Sequence, residues 1–255
     1  MDEFKKMPII KIRGNAAEEV PDLIAVETRI SIAVNGKNVL SLYCTPSMVR
    51  ELVVGLVHVE GLIAGGWCAE RMSIVYGDEI KIDIPATGKV FEGEKTVTSG
   101  CAGGIKLVRE RPEEKISDTT VFNAETIKKL YRQFQQRSDS YKMTGGVHSA
   151  AVADAGRMLV FTEDIGRHNA VDKAIGYCIL ENISFMGKIM MVSGRLSSEI
   201  IFKCAKCHIP LLVSRAAPTT LAVETAEAAG LTLIGFMRGD RMNVYAGMHR
   251  ILLEV

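Results

Sequence analysis

An α/β fold with a parallel βαβαβ sheet in its last third is what the sequence predicts. Short apolar runs at 188–192, 211–213 and 231–236 alternate with helical stretches at 196–207 and 219–229. Strands spaced by helices in this way pair in parallel. Each run also ends in arginine: Ser193-Gly194-Arg195, then Ser214-Arg215, then Arg238-Gly239-Asp240-Arg241. Open sheets of this type bind ligands beyond the carboxyl ends of their strands, and the guanidinium fork suits phosphate oxygens. Arginines at three successive strand ends predict a site for a phosphorylated, nucleotide-like molecule. The plainer reading is surface arginines paired with local carboxylates.

The elements before that unit follow from local chemistry. Residues 28–34 and 37–44 are β-rich runs joined by Asn35-Gly36, a strong two-residue hairpin signal. Thr45-Pro46 predicts a helix start, with threonine as cap and proline in the first helical position. Met48, Val49, Leu52, Val53, Leu56 and Val57 then keep helical spacing. A second hairpin is predicted from 72–76 and 79–84 across Gly77-Asp78. Between 88 and 118 the pattern weakens into glycines, a charged run at 109–115 and Pro112, which suggests a loop or a connection between domains. Asn123 caps a predicted helix whose stripe is Ile127, Leu130, Tyr131 and Phe134. Residues 147–153 and 157–161 read as a further hairpin turning at 154–156, and a helix near 169–180 leads into the parallel unit. The expected organisation is a smaller α+β region, 1–120, and a three-layer α/β/α domain, 121–255.

Composition narrows the function classes. The formal net charge of +1 gives no global field to attract nucleic acid, so any anion site must come from local clustering. Residues 1–13 are charged and lack the apolar run of a signal peptide, and no apolar stretch is long enough to span a membrane. Six cysteines in such a chain point to reduced thiols and a cytoplasmic protein. Neither nucleic acid nor membrane is expected as a partner, and a homodimer is expected from the base rate for soluble oligomers.

Among residues that could carry chemistry, Cys101 stands out, flanked by glycines in Thr98-Ser99-Gly100-Cys101-Ala102-Gly103-Gly104. Glycines let backbone N–H groups converge and stabilise a thiolate; the alternative is an inert cysteine in a turn. Cys178 and the pair Cys204 and Cys207 fall in register with apolar helix faces, so core packing is expected for them. Cys204-Ala205-Lys206-Cys207-His208 matches a haem-attachment pattern that needs an exported chain. His58-Val59-Glu60 with the later cysteines imitates a zinc deaminase signature, but the second element follows Lys203 in place of proline. No metal site is expected. Two glycine-rich loops, Thr144-Gly145-Gly146-Val147-His148-Ser149 and Glu163-Asp164-Ile165-Gly166-Arg167-His168-Asn169, are polar, and the second opens a helix whose free N–H groups favour an anion. His148 or His168 could carry a proton or be structural. Neither loop is a Walker A or GxGxxG motif.

Taken together, TGGVHSAAVAD (144–154), EDIGRHNAVDKAIG (163–176), SGRLSSEI (193–200), PLLVSRAAPTTLAVETAEAAGLTLIGFMRGDRMNVY (210–245) and, more weakly, VEGLI (59–63) closely resemble the FdhD/NarQ family of formate dehydrogenase accessory sulfurtransferases. The resemblance implies a cytidine-deaminase-like α/β/α fold without deaminase activity. It also implies that sulfur is accepted from a cysteine desulfurase as a persulfide and passed to the molybdenum (or tungsten) bis(molybdopterin guanine dinucleotide) cofactor, bound as a substrate, before insertion into formate dehydrogenase. The persulfide role would fall to Cys101. Cofactor binding would fall to Phe236, Met237, Arg238, Gly239, Asp240 and Arg241, with Arg195, Arg215, Gly145, Gly146, His148, Arg167 and His168 around them. Many members carry two loop cysteines as CGxCG, whereas this chain has Cys101 alone. The alternative is a chaperone that holds the cofactor without sulfur chemistry.

Overall fold

The computed structural model describes residues 1–90, 95–97, 105–107 and 115–253, with backbone alone at 89–90, 95–97 and 105–107. The chain opens with a two-stranded antiparallel ribbon, β1 (Phe4–Arg13) and β2 (Ala16–Ala25), turning at Gly14 with φ +60°. The predicted hairpin follows as β3 (Thr28–Val34) and β4 (Lys37–Cys44). Both of its turn residues take positive φ, as an Asn-Gly turn requires.

Helix α1 (Val49–Glu60) begins three residues later than the threonine cap predicted, behind a left-handed Met48 with no side-chain cap. Thr45 is spent elsewhere: its N–H donates to the Asp164 carboxylate at 3.0 Å and its hydroxyl accepts from Lys173 at 2.6 Å. A buried charge on the far half of the chain outcompetes the local cap, and Pro46 precedes the helix without entering it. Strands β5 (Ile63–Ala64), β6 (Ser73–Val75), β7 (Ile80–Ile84) and β8 (Lys89–Val90) complete this region. The sheet order is β4-β3-β7-β6, and α1 covers one face with Leu52, Val53 and Leu56. The stretch read as a loop also contains strands: β8 pairs with β5, and β9 (Lys95–Val97) pairs with β10 (Ile105–Leu107).

The second half begins with β11 (Phe122–Asn123) and α2 (Ala124–Gln136), capped as expected by Asn123, which accepts from the N–H groups of Glu125 and Thr126. A short α3 (Asp139–Thr144) leads to the hairpin β12 (His148–Ala153) and β13 (Met158–Asp164), then to α4 (Arg167–Leu180). The βαβαβ unit is β14 (Ile189–Val192), α5 (Ser198–Lys206), β15 (Leu211–Ser214), α6 (Thr220–Ala229) and β16 (Thr232–Arg238). β17 (Arg241–Ala246) and β18 (Ile251–Leu252) end the chain. The six-stranded order is β13-β12-β14-β15-β16-β17, parallel across β14, β15 and β16. Period-2 alternation sends Val152, Met190 and Leu212 toward α4, α5 and α6, and Ala151, Met191 and Val213 toward α2. The three-layer α/β/α expectation holds.

The halves meet where α1 crosses α4. A Cβ on Gly55 would lie 2.0 Å from the carbonyl oxygen of Asp172, and one on Gly176 1.8 Å from that of Glu51. Only glycine permits backbones so close. Two buried ion groups flank the crossing. Lys173 Nζ lies 2.7 Å from Asp164 Oδ2, both fully buried. Lys203 Nζ donates to both Asp172 oxygens at 2.7 and 2.9 Å and to Glu60 at 3.1 Å. Burial works against the Lys203 charge, but Asp172 and Glu60 overcome it and hold its pKa above the usual lysine value.

Candidate functional site

Three parallel strands end on one edge of the sheet. β12 runs antiparallel to β14, so its first residue, His148, lies at the same edge, and β13 delivers the chain there into α4. The rim therefore gathers Arg195, Arg215, Arg238 and Arg241 with His148, Arg167 and His168, as the strand-end reading required. The four strand-end arginines are exposed. Tyr131 braces the edge from beneath: its O–H donates to Val192 O at 2.9 Å and accepts from the Arg215 N–H at 2.6 Å. Burial pushes that phenol far above its ordinary pKa, so it stays a neutral strut. Ser214 Oγ donates to Gly194 O at 2.7 Å and ties the ends of β14 and β15 together.

The β16–β17 corner is unusual. Phe236 holds φ +50° beside a register shift between Gly235 and Arg238, and its N–H donates to Ala216 O. A bulky residue in the left-handed region is strained, and such strain concentrates at functional sites. The Arg238 guanidinium sits 6.0 Å from the Phe236 ring centre. Gly239, also left-handed, turns the corner, and Arg238 pairs directly with Arg241. Asp240 reaches Arg132 at 2.9 Å. Met237 differs from its neighbours: it is 1% exposed and packs with Phe134 and Ile234, so it anchors the corner and presents no side chain to the rim.

The other flank is built around Gly194. A Cβ there would lie 3.2 Å from Arg167 Cβ and 3.5 Å from His148 Nδ1, so this glycine lets the two side chains close on either side of it. His148 Nδ1 lies 3.4 Å from Ser193 Oγ, which accepts from the Ser149 N–H. His168 Nε2 lies 3.0 Å from Glu199 Oε2. Burial first, then Arg167 and the neighbouring His168, keeps His148 below the usual histidine pKa; for His168 burial also wins over the pull of Glu199. Both imidazoles are thus neutral at pH 7. Among the described residues the buried Arg167 Nε has no hydrogen-bond partner, and it lies at the start of a helix whose cap residue, Gly166, offers no side chain. Gly145 ends α3 in the left-handed region, and the Gly146 N–H donates to Thr144 Oγ1. Glu199 and Tyr131 were missed by sequence reasoning. Glu199 sits inside the SGRLSSEI stretch, and Tyr131 was visible only as part of an apolar stripe.

Cys101 lies outside the described residues; the flanking β9 and β10 pair antiparallel on either side of it. Cys178, Cys204 and Cys207 share one core with Ile175 and Ile200. Burial pushes the Cys178 and Cys207 thiols up to about 12 and Cys204 further, so they are inert. Cys44 is likewise raised to about 12 by burial. Cys68 is partly exposed and donates to Glu70 at 2.7 Å. Among the described residues no cluster of three histidines, cysteines or carboxylates could hold a metal ion, and no helix is long and apolar enough to cross a membrane.

The FdhD/NarQ family model matches residues 25–252 of the chain. The chain belongs to the FdhD/NarQ family. A relative in Geobacillus kaustophilus named sulfur carrier protein FdhD is 35% identical over 259 residues, covering 98% of this chain and 97% of the relative. One of the same name in Bacillus subtilis is 35% identical over 243 residues, covering 91% of this chain and 92% of the relative. A crystal structure from Desulfotalea psychrophila, described as a formate dehydrogenase accessory protein, superposes with a TM-score of 0.81 at 28% identity, covering 98% of this chain and all of that one. The family match spans both halves, including the first half where the sequence motifs were thin.

Proposed function

We propose that this chain is a sulfurtransferase of formate dehydrogenase maturation. Cys101 would take sulfur from a cysteine desulfurase and pass it to a molybdenum or tungsten bis(molybdopterin guanine dinucleotide) cofactor held as substrate at the rim. The observation that carries the substrate half of this reading is Arg167: a buried guanidinium nitrogen without a partner among the described residues, at an uncapped helix N-terminus, beside exposed arginines on three strand ends. Burying an unsatisfied charged donor is costly, and a pyrophosphate oxygen would satisfy it. Arg195, Arg215, Arg238 and Arg241 supply further cations, and Phe236 an aromatic face. Neutral His148 and His168 can each take up a proton as an anion arrives.

Sulfur transfer needs one nucleophile and one acceptor. The Cys101 thiolate would attack the outer sulfur of the donor persulfide, forming one S–S bond as the donor leaves as a thiolate. In the second step that S–S bond breaks toward the metal of the substrate, Cys101 leaves as a thiolate, and the metal gives up the two electrons that reduce the transferred sulfur. The four cysteines buried in the cores cannot perform the first step at neutral pH, because their thiols are held protonated.

Mass spectrometry of the protein after incubation with a desulfurase and cysteine tests this. One sulfur adduct on the Cys101 peptide, absent from Cys101→Ala, is expected. An unmodified peptide, with guanine-nucleotide binding retained, would leave the cofactor-holding chaperone as the better reading.

A further inference from the structure

Helices α4 and α5 face each other through two charged rungs. His168 and Asp172 lie one turn apart on α4, and Glu199 and Lys203 one turn apart on α5, so each pair shares a helix face. The lower rung is closed: Lys203 holds both Asp172 oxygens and, from α1, Glu60. The upper rung, at the rim, is not. His168 Nε2 lies 3.0 Å from Glu199 Oε2, with side-chain exposures of 14% and 21%. Yet no hydrogen bond of good geometry joins them, and among the described residues this buried nitrogen has no other partner. A neutral imidazole has one N–H and one lone-pair nitrogen; only the protonated ring carries a donor on both. A proton here turns a bare contact with a carboxylate into a charge-assisted one.

Charge decides which histidine takes that proton. His168 is faced by Glu199 and Lys203 from α5, by Arg167 on its own helix and by His148 on β12. Lys203 is offset by Asp172 and Glu60, which leaves Arg167 as the cation that opposes Glu199. His148 has no such carboxylate at contact distance among the described residues. Its Nδ1 lies 3.4 Å from Ser193 Oγ, and the charges that bear on it most are Arg167 and His168. Asp164 bears on it least and is already paired with Lys173 at 2.7 Å. Arg167 and His168 are consecutive, so with nothing anionic at the rim their repulsion helps burial keep the His168 ring neutral. A phosphorylated ligand beside Arg167 Nε relieves that repulsion.

We propose that the rim takes up its phosphorylated ligand together with one proton from solvent, held on His168, and that Glu199 is the positioning residue that selects this ring. The proposal rests on the reading of the rim as an anion site and gives that site a pH dependence. The free protein holds His168 neutral and the loaded protein holds it charged, so binding strengthens as pH falls and release is favoured as pH rises. No covalent bond is made or broken, and the proton returns to solvent when the ligand leaves.

Calorimetry of the full chain with diguanosine pyrophosphate tests this, because the internal phosphates of that probe lack the proton that a terminal phosphate loses at a pKa of about 6. Titrations at pH 7 in two buffers of different ionisation enthalpy count the protons. Uptake approaching one per site is expected, with Kd falling by up to about ten-fold for each pH unit as pH is lowered from 8 to 6. His168→Gln should bind with no proton uptake and a flat pH profile. Glu199→Gln should move the gain in affinity to lower pH, and His148→Gln should keep the proton count. Ring-nitrogen NMR of the wild type, with His168 titrating at higher pH in the loaded than in the free state, reads the same coupling without a substitution. Binding without proton uptake, uptake that survives His168→Gln or is lost with His148→Gln, or a Glu199→Gln profile that does not move would each overturn the proposal and leave the anion site standing. No binding at any pH would overturn both.

Discussion

Replacing Lys173 with methionine isolates the cost of one buried charge while keeping the side chain's length. Lys173 Nζ contacts Asp164 Oδ2 at 2.7 Å, Thr45 Oγ1 at 2.6 Å and Glu163 O at 3.2 Å, and neither Lys173 nor Asp164 is exposed. Removing one partner of a buried pair costs about 3–5 kcal/mol, because the other charge is left uncompensated. Asp164 would keep four donors: the N–H and hydroxyl of Thr45 at 3.0 and 3.1 Å, and Gly166 N and Asn169 Nδ2, each at 2.8 Å. Those bonds place the cost near the lower end, about 3 kcal/mol. For a chain of this size that is a fall in Tm of roughly 6–12 °C. Urea unfolding followed by circular dichroism gives the free energy directly. Adding Asp164→Asn to Lys173→Met should recover part of the loss, since the amide still bonds and carries no charge. A loss below about 1 kcal/mol, or a double variant no more stable than the single one, would refute the assignment of a paired buried charge.

Four further outcomes follow from the geometry. Gly176→Ala should destabilise by about 2 kcal/mol in the same assay, overpacking at 1.8 Å from Glu51 O outweighing the gain in helix propensity of about 1 kcal/mol. Arg238→Ala should weaken guanine-nucleotide binding by about 1.5–3 kcal/mol, read by calorimetry as a Kd raised roughly ten- to hundred-fold. His168, whose pKa is lowered by burial, contributes stability that is complete above the unfolded value of about 6.5 and is lost as pH falls through the folded value, so His168→Gln should flatten the fall in unfolding free energy between pH 7 and 5. Cys101→Ala should leave the unfolding midpoint and nucleotide affinity unchanged while abolishing production of active formate dehydrogenase in a complementation assay.

How much of this was legible in the sequence depended on whether a residue's partner was local. The βαβαβ unit, the Asn35-Gly36 hairpin and the Asn123 cap are decided within a few residues of themselves, and they stand where the pattern put them. Thr45 failed because its partners, Asp164 and Lys173, are more than a hundred residues away. The ribbon was unreadable for the opposite reason: with both faces largely in solvent, alternation carries no burial signal, and its prolines argue against a strand. At the rim, arginines at strand ends could be found by topology alone. Glu199 could not, since a carboxylate on a helix gives no sign that it will meet His168.

The cysteine and the rim belong to different halves of the chain, and the packing between those halves ties one to the other. β8, from which the Cys101 segment departs, pairs with β5, only three residues beyond the end of α1. α1 is pressed against α4 at Gly55 and Gly176 with no room for a methyl group. α4 in turn begins at Arg167 and His168, and the turn before it is held by Asp164 Oδ1 accepting from Gly166 N and Asn169 Nδ2. Thr45, just ahead of α1, bonds that same carboxylate, while Glu60 at the far end of the helix reaches Lys203. The base of the cysteine segment is therefore fixed to the strand-end edge through backbone contacts and two buried ion groups.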